Sequence, residues 1–226
     1  MHDKVRDPVT FRKSAIAALS LPVFAAVLLG GCRHTGELDE TGGITAVRTA
    51  CPSVAVPAGT GDITLFDPAT SHDATALDLT AVLTNVRSTC TDAGDDILTT
   101  LTFSVEGRRL RTDGARDVTL PYFVTVVQGG SAVVAKRLGH VTLHFEAGQP
   151  RASVQGTGTA TVSRAAATLP DDVRKKLLEK RKAGGEDAAV DPLTRPEVRQ
   201  AVLRATFEAL VGFQLTGDQL KYNATR

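Results

Sequence analysis

Between residues 51 and 163 the dominant pattern of the chain is a period of two. Leu77, Leu79, Ala81 and Leu83 alternate with mostly polar neighbours. Ile97, Thr99, Leu101, Phe103 and Val105 do so more clearly against Thr100, Thr102 and Ser104, and Val141, Leu143 and Phe145 against Thr142, His144 and Glu146. Strict alternation marks a strand with one buried face. Residues 122–127 form a continuous apolar run, which predicts a central strand buried on both sides. Gln128-Gly129-Gly130-Ser131 follows as a turn, because glycine reaches the positive φ that tight hairpins need. Residues 132–135 return from it toward Lys136 and Arg137, and 152–162 alternate with small polar residues as an edge-like strand. Short runs at 54–56 and 63–66 add one or two more. Some seven or eight strands, spaced by roughly 10–15 residues, predict an antiparallel β-sandwich, with an Ig-like or fibronectin-III-like arrangement fitting best and a small β-barrel as the alternative.

After Arg164 the period changes. Thr168-Leu169-Pro170-Asp171-Asp172 reads as a helix start, with Pro in the first turn and acids at the positive end of the dipole. That helix is expected to run to about Lys182 and stop at Gly184-Gly185, with a thin stripe of Val173, Leu177 and Leu178. Thr194-Arg195-Pro196-Glu197 opens a second helix. Val198, Ala201, Val202, Ala205 and Ala209 form one face of it, broadened by Phe207, Leu210 and Phe213, and it is expected to pack on the sandwich. Gly212 begins its end, and residues 214–226 are left as a short tail. The expected organisation is therefore a strand-rich domain over 51–163 and a helical region over 164–226.

The N-terminal stretch has a different character. Lys4, Arg6, Arg12 and Lys13 outnumber Asp3 and Asp7, and an uncharged run rich in Ala, Leu and Val leads to Cys32. A basic start, an apolar core and small residues before a cut make a secretory signal. The core of about 15 residues is short of the roughly 20 that span a bilayer as a helix. Leu29-Gly30-Gly31-Cys32 resembles the lipobox of bacterial lipoproteins. The resemblance covers the first 32 residues. It implies lipid on the sulfur of Cys32, removal of residues 1–31, and a membrane anchor that makes a transmembrane helix unnecessary. Arg33 stands where related lipoproteins retained in the inner membrane often carry Asp, so the outer membrane, on its periplasmic side, is the expected address. Residues 32–50, polar and Gly-rich, then form a tether.

With residues 1–31 removed, the charged totals fall from 26 basic and 25 acidic to 22 and 23, a net charge of −1. Nucleic-acid binding favours a basic face, so no nucleic-acid partner is expected. Trp is absent, which leaves the core to Val, Leu, Ile, Ala and Phe. Cys51 and Cys90 remain once Cys32 is lipidated. An even pair in an oxidising compartment reads as a disulfide, worth about 4 kcal/mol on the chain-entropy model.

Few groups suggest chemistry. His140 and His144, on a strand, lie about 13 Å apart along its axis and cannot share a metal. Asp92, Asp95 and Asp96 do not match the EF-hand spacing and read as a turn. Arg174-Lys175-Lys176 and Lys180-Arg181-Lys182 are diluted by acidic neighbours and read as a solvated helix face, with attraction to anionic lipid as the alternative. There is no Gly-x-Ser-x-Gly elbow, Walker loop or HExxH, and no nucleophile pairs with His72, His140 or His144. No catalytic residue, metal or cofactor is expected.

Leu120-Pro121-Tyr122-Phe123-Val124 and its hairpin, and Gly212-Phe213-Gln214-Leu215-Thr216 running on to Tyr222-Asn223, resemble parts of uncharacterised envelope lipoproteins of proteobacteria. That likeness implies no known activity. The expectation is a non-catalytic interaction or assembly module with an envelope protein partner. The alternative is a binding module for a small ligand, lipid or glycan between the sandwich and the C-terminal helices.

Overall fold

The computed structural model describes residues 49–179 and 190–225. Cys32, the signal segment and most of the tether lie outside the described residues, as do Gly184-Gly185 and Lys180-Arg181-Lys182. The described residues form eight strands: β1 Ser53–Ala55, β2 Asp62–Phe66, β3 Leu77–Ala93, β4 Asp96–Arg109, β5 Arg116–Gln128, β6 Ala132–Phe145, β7 Arg151–Ser163 and β8 Phe207–Phe213. They form two four-stranded sheets, ordered β1-β8-β5-β6 and β2-β3-β4-β7. This is the sandwich that the alternation predicts. Its orders are its own: β2, β3 and β4 are a meander, whereas immunoglobulin constant domains set ABED against CFG. One pair, β1 with β8, is parallel; the rest are antiparallel.

The core follows the parity of the sequence. Along β4, Ile97, Thr99, Leu101, Phe103 and Val105 are all buried, in one cluster with Leu79, Ala81 and Leu83 of β3 beside them in the same sheet and Val118, Leu120, Val124 and Val126 of β5 in the other. Each fully buried Leu, Val or Phe contributes on the order of 1.5–3 kcal/mol, so this layer dominates the stability. β7 is stripped to glycine where large side chains lie over it: a Cβ on Gly158 would sit 2.5 Å from Val124 of the other sheet. A Cβ on Gly156 would sit 2.3 Å from the Phe103 ring, so Phe103 occupies the space that a side chain would need. Tyr122 packs edge-on against Phe103 at 5.0 Å and donates its hydroxyl to the Thr157 carbonyl, tying β5 to β7 across the sandwich.

Turns fall where glycine permits them. Gly94 at φ +70° closes the β3–β4 hairpin, so Asp92, Asp95 and Asp96 do lie around a turn. Gly129 and Gly130, at φ +61° and +80°, close β5 onto β6 through a turn that also takes Ser131.

The largest departure from expectation lies at 207–213. The helix opened by Pro196, α3 (numbered after α1 Arg164–Ala167 and α2 Asp171–Leu178), spans Pro196–Arg204 and then stops. Phe207, Ala209, Val211 and Phe213 lie on the buried face of β8, a central strand between β1 and β5. The period has changed from 3.6 to two at Ala205-Thr206. Counting Ala205, Phe207, Ala209, Leu210 and Phe213 with the helix face mistook a strand for the continuation of a helix. Gly212 does not end a helix. A Cβ there would meet Thr60 Oγ1 at 2.3 Å, so the strand requires glycine for that contact. Nor does α3 join the sandwich core. Its Val198, Ala201 and Val202 pack with Val173 of α2, and with Leu169 and Leu177, as a small separate cluster. Leu178, 67 % exposed, is outside it.

The expected tail carries a fourth helix, α4 Gly217–Thr225. It caps the open edge of β2. Asn223 Nδ2 donates to the carbonyls of Gly59 and Asp62 at 2.9 Å each, and the Tyr222 ring meets Phe66 edge-on at 5.3 Å and stacks on His72 at 5.7 Å. Covering an edge removes a template for unwanted strand pairing. No helix among the described residues is long and apolar enough to cross a membrane.

Candidate functional site

Three constellations bring chemistry-bearing side chains together. The first is the disulfide. Cys51 lies just before β1 in one sheet and Cys90 lies on β3 in the other, with their Cα atoms 6.1 Å apart and the sulfurs bonded. The pair therefore staples the two sheets together where the N-terminal segment enters the domain.

The second lies at the end of the sandwich where β2, β4 and β6 finish and β3 and β5 begin. Asp78, 4 % exposed, receives Arg116 through two contacts of 2.9 and 2.6 Å and Arg111 at 3.2 Å. Arg111 also reaches Asp67 at 2.7 Å. The Arg116 hydrogen bonds hold the Asp78 carboxyl below the usual aspartate range against the opposing effect of burial, and the same contact raises Arg116. Arg109, 2 % exposed, has no carboxylate against it among the described residues. Its guanidinium donates to the carbonyls of Gln149 (3.0 Å), Gly114 (2.7 Å) and Glu146 (2.7 Å), and lies 5.2 Å from the centre of the Phe145 ring. One side chain thus fixes the loops after β4 and after β6, using the planar donor fork that arginine alone offers.

The third lies on the outer face of β5 and β6. The strand register sets Asp117 directly opposite His144. Asp117 Oδ1 faces His144 Nδ1, and Glu146 Oε1, two residues along the same strand face, lies 3.2 Å from Nε2. The Asp117 hydrogen bond, with smaller help from Glu146, raises the imidazole above its ordinary value. With a carboxylate at each nitrogen, the protonated ring is favoured relative to a free imidazole, and both nitrogens are engaged within the strand pair. Carboxylates on opposite ring edges also cannot converge on one ion. No group of His, Cys, Asp or Glu among the described residues could hold a metal.

An open depression of about 620 Å³ lies between the β3–β4 turn and the start of α2, its lining mixing Asp95, Arg164, Thr168 and Asp171 with the apolar Leu169 and Pro170. Arg164 there is engaged with Asp92 at 2.9 Å and with the Gly94 carbonyl. A second depression of about 440 Å³ runs along residues 61–64 of β2 and 80–83 of β3.

No family model, curated protein or solved structure matches the chain.

Of the residues singled out in the sequence, Cys51 and Cys90 are joined. His140 and His144 lie on β6 as read, but His144 has ionic partners that spacing alone does not reveal. His72 belongs to the aromatic contact with α4. Arg174 pairs with Asp171 within α2. The charged end was not anticipated, yet a signal existed: the buried parity of β4 continues past Val105 through Gly107 to Arg109. A charge on the inward parity of a strand marks a buried charge that needs partners.

Proposed function

We propose that the chain is a lipid-anchored lipoprotein of the bacterial cell envelope, held through Cys32 and facing the periplasm. The outer membrane is the favoured location. It acts as a non-catalytic interaction or assembly module with an envelope protein partner. The observation that supports this most is the Cys51–Cys90 bond. A cross-sheet disulfide at the point where the N-terminal segment enters the domain suits a chain matured in an oxidising compartment. The lipobox-like Leu29-Gly30-Gly31-Cys32 supplies the anchor that such a chain would carry. The absence of a catalytic reading rests on the engagement of Asp78, Arg116 and His144 with one another's kind rather than with an open cleft.

The decisive experiment is Cys32→Ser in cells, followed by fractionation and non-reducing electrophoresis. The variant is expected to leave the membrane fraction or to stall as precursor, while the Cys51–Cys90 bond still forms. A variant that stays membrane-bound and is trimmed normally refutes the anchor. For the interaction role, crosslinking in intact cells with several chemistries is expected to yield a recurring protein adduct, and repeated absence of one removes that role. The ligand-binding alternative has a place in the depression beside α2. This depression is wide open to solvent, unlike the enclosing clefts that bury most of a small molecule, which favours the first reading.

A further inference from the structure

The two sheets treat their edges differently. β2 is capped by α4, and β7 is tied to β5 through Tyr122. Among the described residues, nothing covers the edge strand β6 over its first half. Every residue from 132 to 138 is exposed, and Val133 (63 %), Val134 (52 %) and Leu138 (64 %) are among the most exposed large apolar side chains. β6 pairs only with β5, so alternate backbone N–H and C=O groups of this stretch point away from the sheet. Lys136 and Arg137 stand in the middle of it. Lys136 lies 5.0 Å from the centre of the Phe123 ring, and neither residue has a carboxylate partner among the described residues.

We propose that residues 132–138 of β6 form a docking edge for an extended acidic segment of a partner protein, in which two adjacent Asp or Glu residues, one for each face of the strand, are flanked by apolar residues. The segment adds as a fifth strand beside β6. Its backbone pairs with the open edge, its apolar residues cover Val133, Val134 and Leu138, and its carboxylates meet Lys136 and Arg137. Charge selects this occupant over a second copy of the chain. Two β6 edges pairing antiparallel would bring their Lys136 and Arg137 side chains near one another, and like charges opposite each other on strands destabilise pairing. The inference rests on the interaction-module reading and names its surface.

The test is fluorescence anisotropy on the full chain in detergent micelles. The probe is a labelled synthetic peptide with an adjacent Asp-Glu pair flanked by Val, and its control replaces the acids by Lys. The acidic peptide is expected to bind and the basic one not to. Lys136→Glu with Arg137→Glu should weaken the acidic peptide by about tenfold and admit the basic one, since two exposed charge pairs change from attraction to repulsion. Lys136→Arg should bind as the unaltered chain does. Hydrogen exchange of residues 132–138 should slow on binding. Melting curves confirm that the exposed substitutions leave the fold intact. Equal binding of both peptides, binding of neither, or protection elsewhere overturns the proposal. So does a charge-reversed chain that self-associates while the acidic peptide never binds, because the two cations then only guard the edge. The readout does not depend on lipidation: failure of the anchor leaves peptide binding unchanged, and failure of the edge leaves the anchor standing.

Discussion

Asp78→Asn isolates the charged end of the sandwich, because the amide keeps the volume of the carboxyl and removes only its charge. In the native chain the buried carboxylate takes two contacts from Arg116 and one from Arg111. An amide at this place turns an N–H₂ toward the guanidinium groups or leaves them with one neutral acceptor. Hydrogen bonds to charged groups contribute about 1.5–3 kcal/mol, and breaking a fully buried ion pair costs about 3–5 kcal/mol. The arginine side chains here are 40 % and 47 % exposed and turn to water once released, which places the loss near the lower figures. The expected destabilisation is about 2–3 kcal/mol, or a fall in melting temperature on the order of 4–12 °C for a domain of this size. Urea unfolding at neutral pH with the disulfide intact measures it, with an unchanged slope as the check that the unfolded state is the same. The pH dependence gives an independent sign. Because the folded-state pKa of Asp78 is lowered, its contribution is complete above the ordinary aspartate value and is lost as pH falls through the folded value. The gap between native and variant chains must therefore narrow in acid. A loss below about 0.5 kcal/mol, the scale of an exposed pair, would refute the reasoning. So would a gap that widens in acid.

Three other outcomes follow from the same structure. Replacing both Cys51 and Cys90 by Ser is expected to cost about 4 kcal/mol in chemical denaturation, from a loop closed over a separation of 39 residues; no change would mean that the cross-link does not constrain the unfolded chain. Thr99, fully buried on β4 with no hydrogen-bond partner for its hydroxyl, should give a more stable protein as Thr99→Val, by about 1 kcal/mol in urea titration, because an orphaned polar group is removed at nearly constant shape. Nuclear magnetic resonance titration of His144 should show a pKa above the ordinary histidine value, lowered more by Asp117→Asn than by Glu146→Gln because Asp117 is the larger cause; its stabilising effect is present in acid and lost as pH rises through that value.

The sandwich was legible because alternation and burial are the same signal read twice. Ile97 to Val105 on β4 and Val141 to Phe145 on β6 keep one parity in sequence and one face in space. The disulfide was legible once Cys32, one of three cysteines, was set aside as an expected lipidation site, which leaves a pair. β8 was not, because Val198, Ala201 and Val202 lead into it without Gly or Pro at the join, and the strand's small Ala209 also fits a helix face. The Asp117–His144 pair and the Asp78–Arg116 pair were hidden for a different reason. Their members are 27 and 38 residues apart and meet only once the strand register is known. Charged residues carry no periodic signature of their partners, so ionic contacts between strands become visible after topology and not before.

The position of Cys51 has a mechanical consequence. Tension applied to the N-terminal segment reaches the domain one residue after Ala50, at a covalent junction with Cys90. The load then passes into β3, which is gripped along its length by β4, and bypasses β1, whose hold on β8 is three residue pairs. With the sulfurs joined, the load meets the long β3–β4 ladder first. With them reduced, the same pull peels a three-residue strand off an edge. A domain hung from a surface by its N-terminus would thus keep or lose its grip according to the oxidation state of one bond.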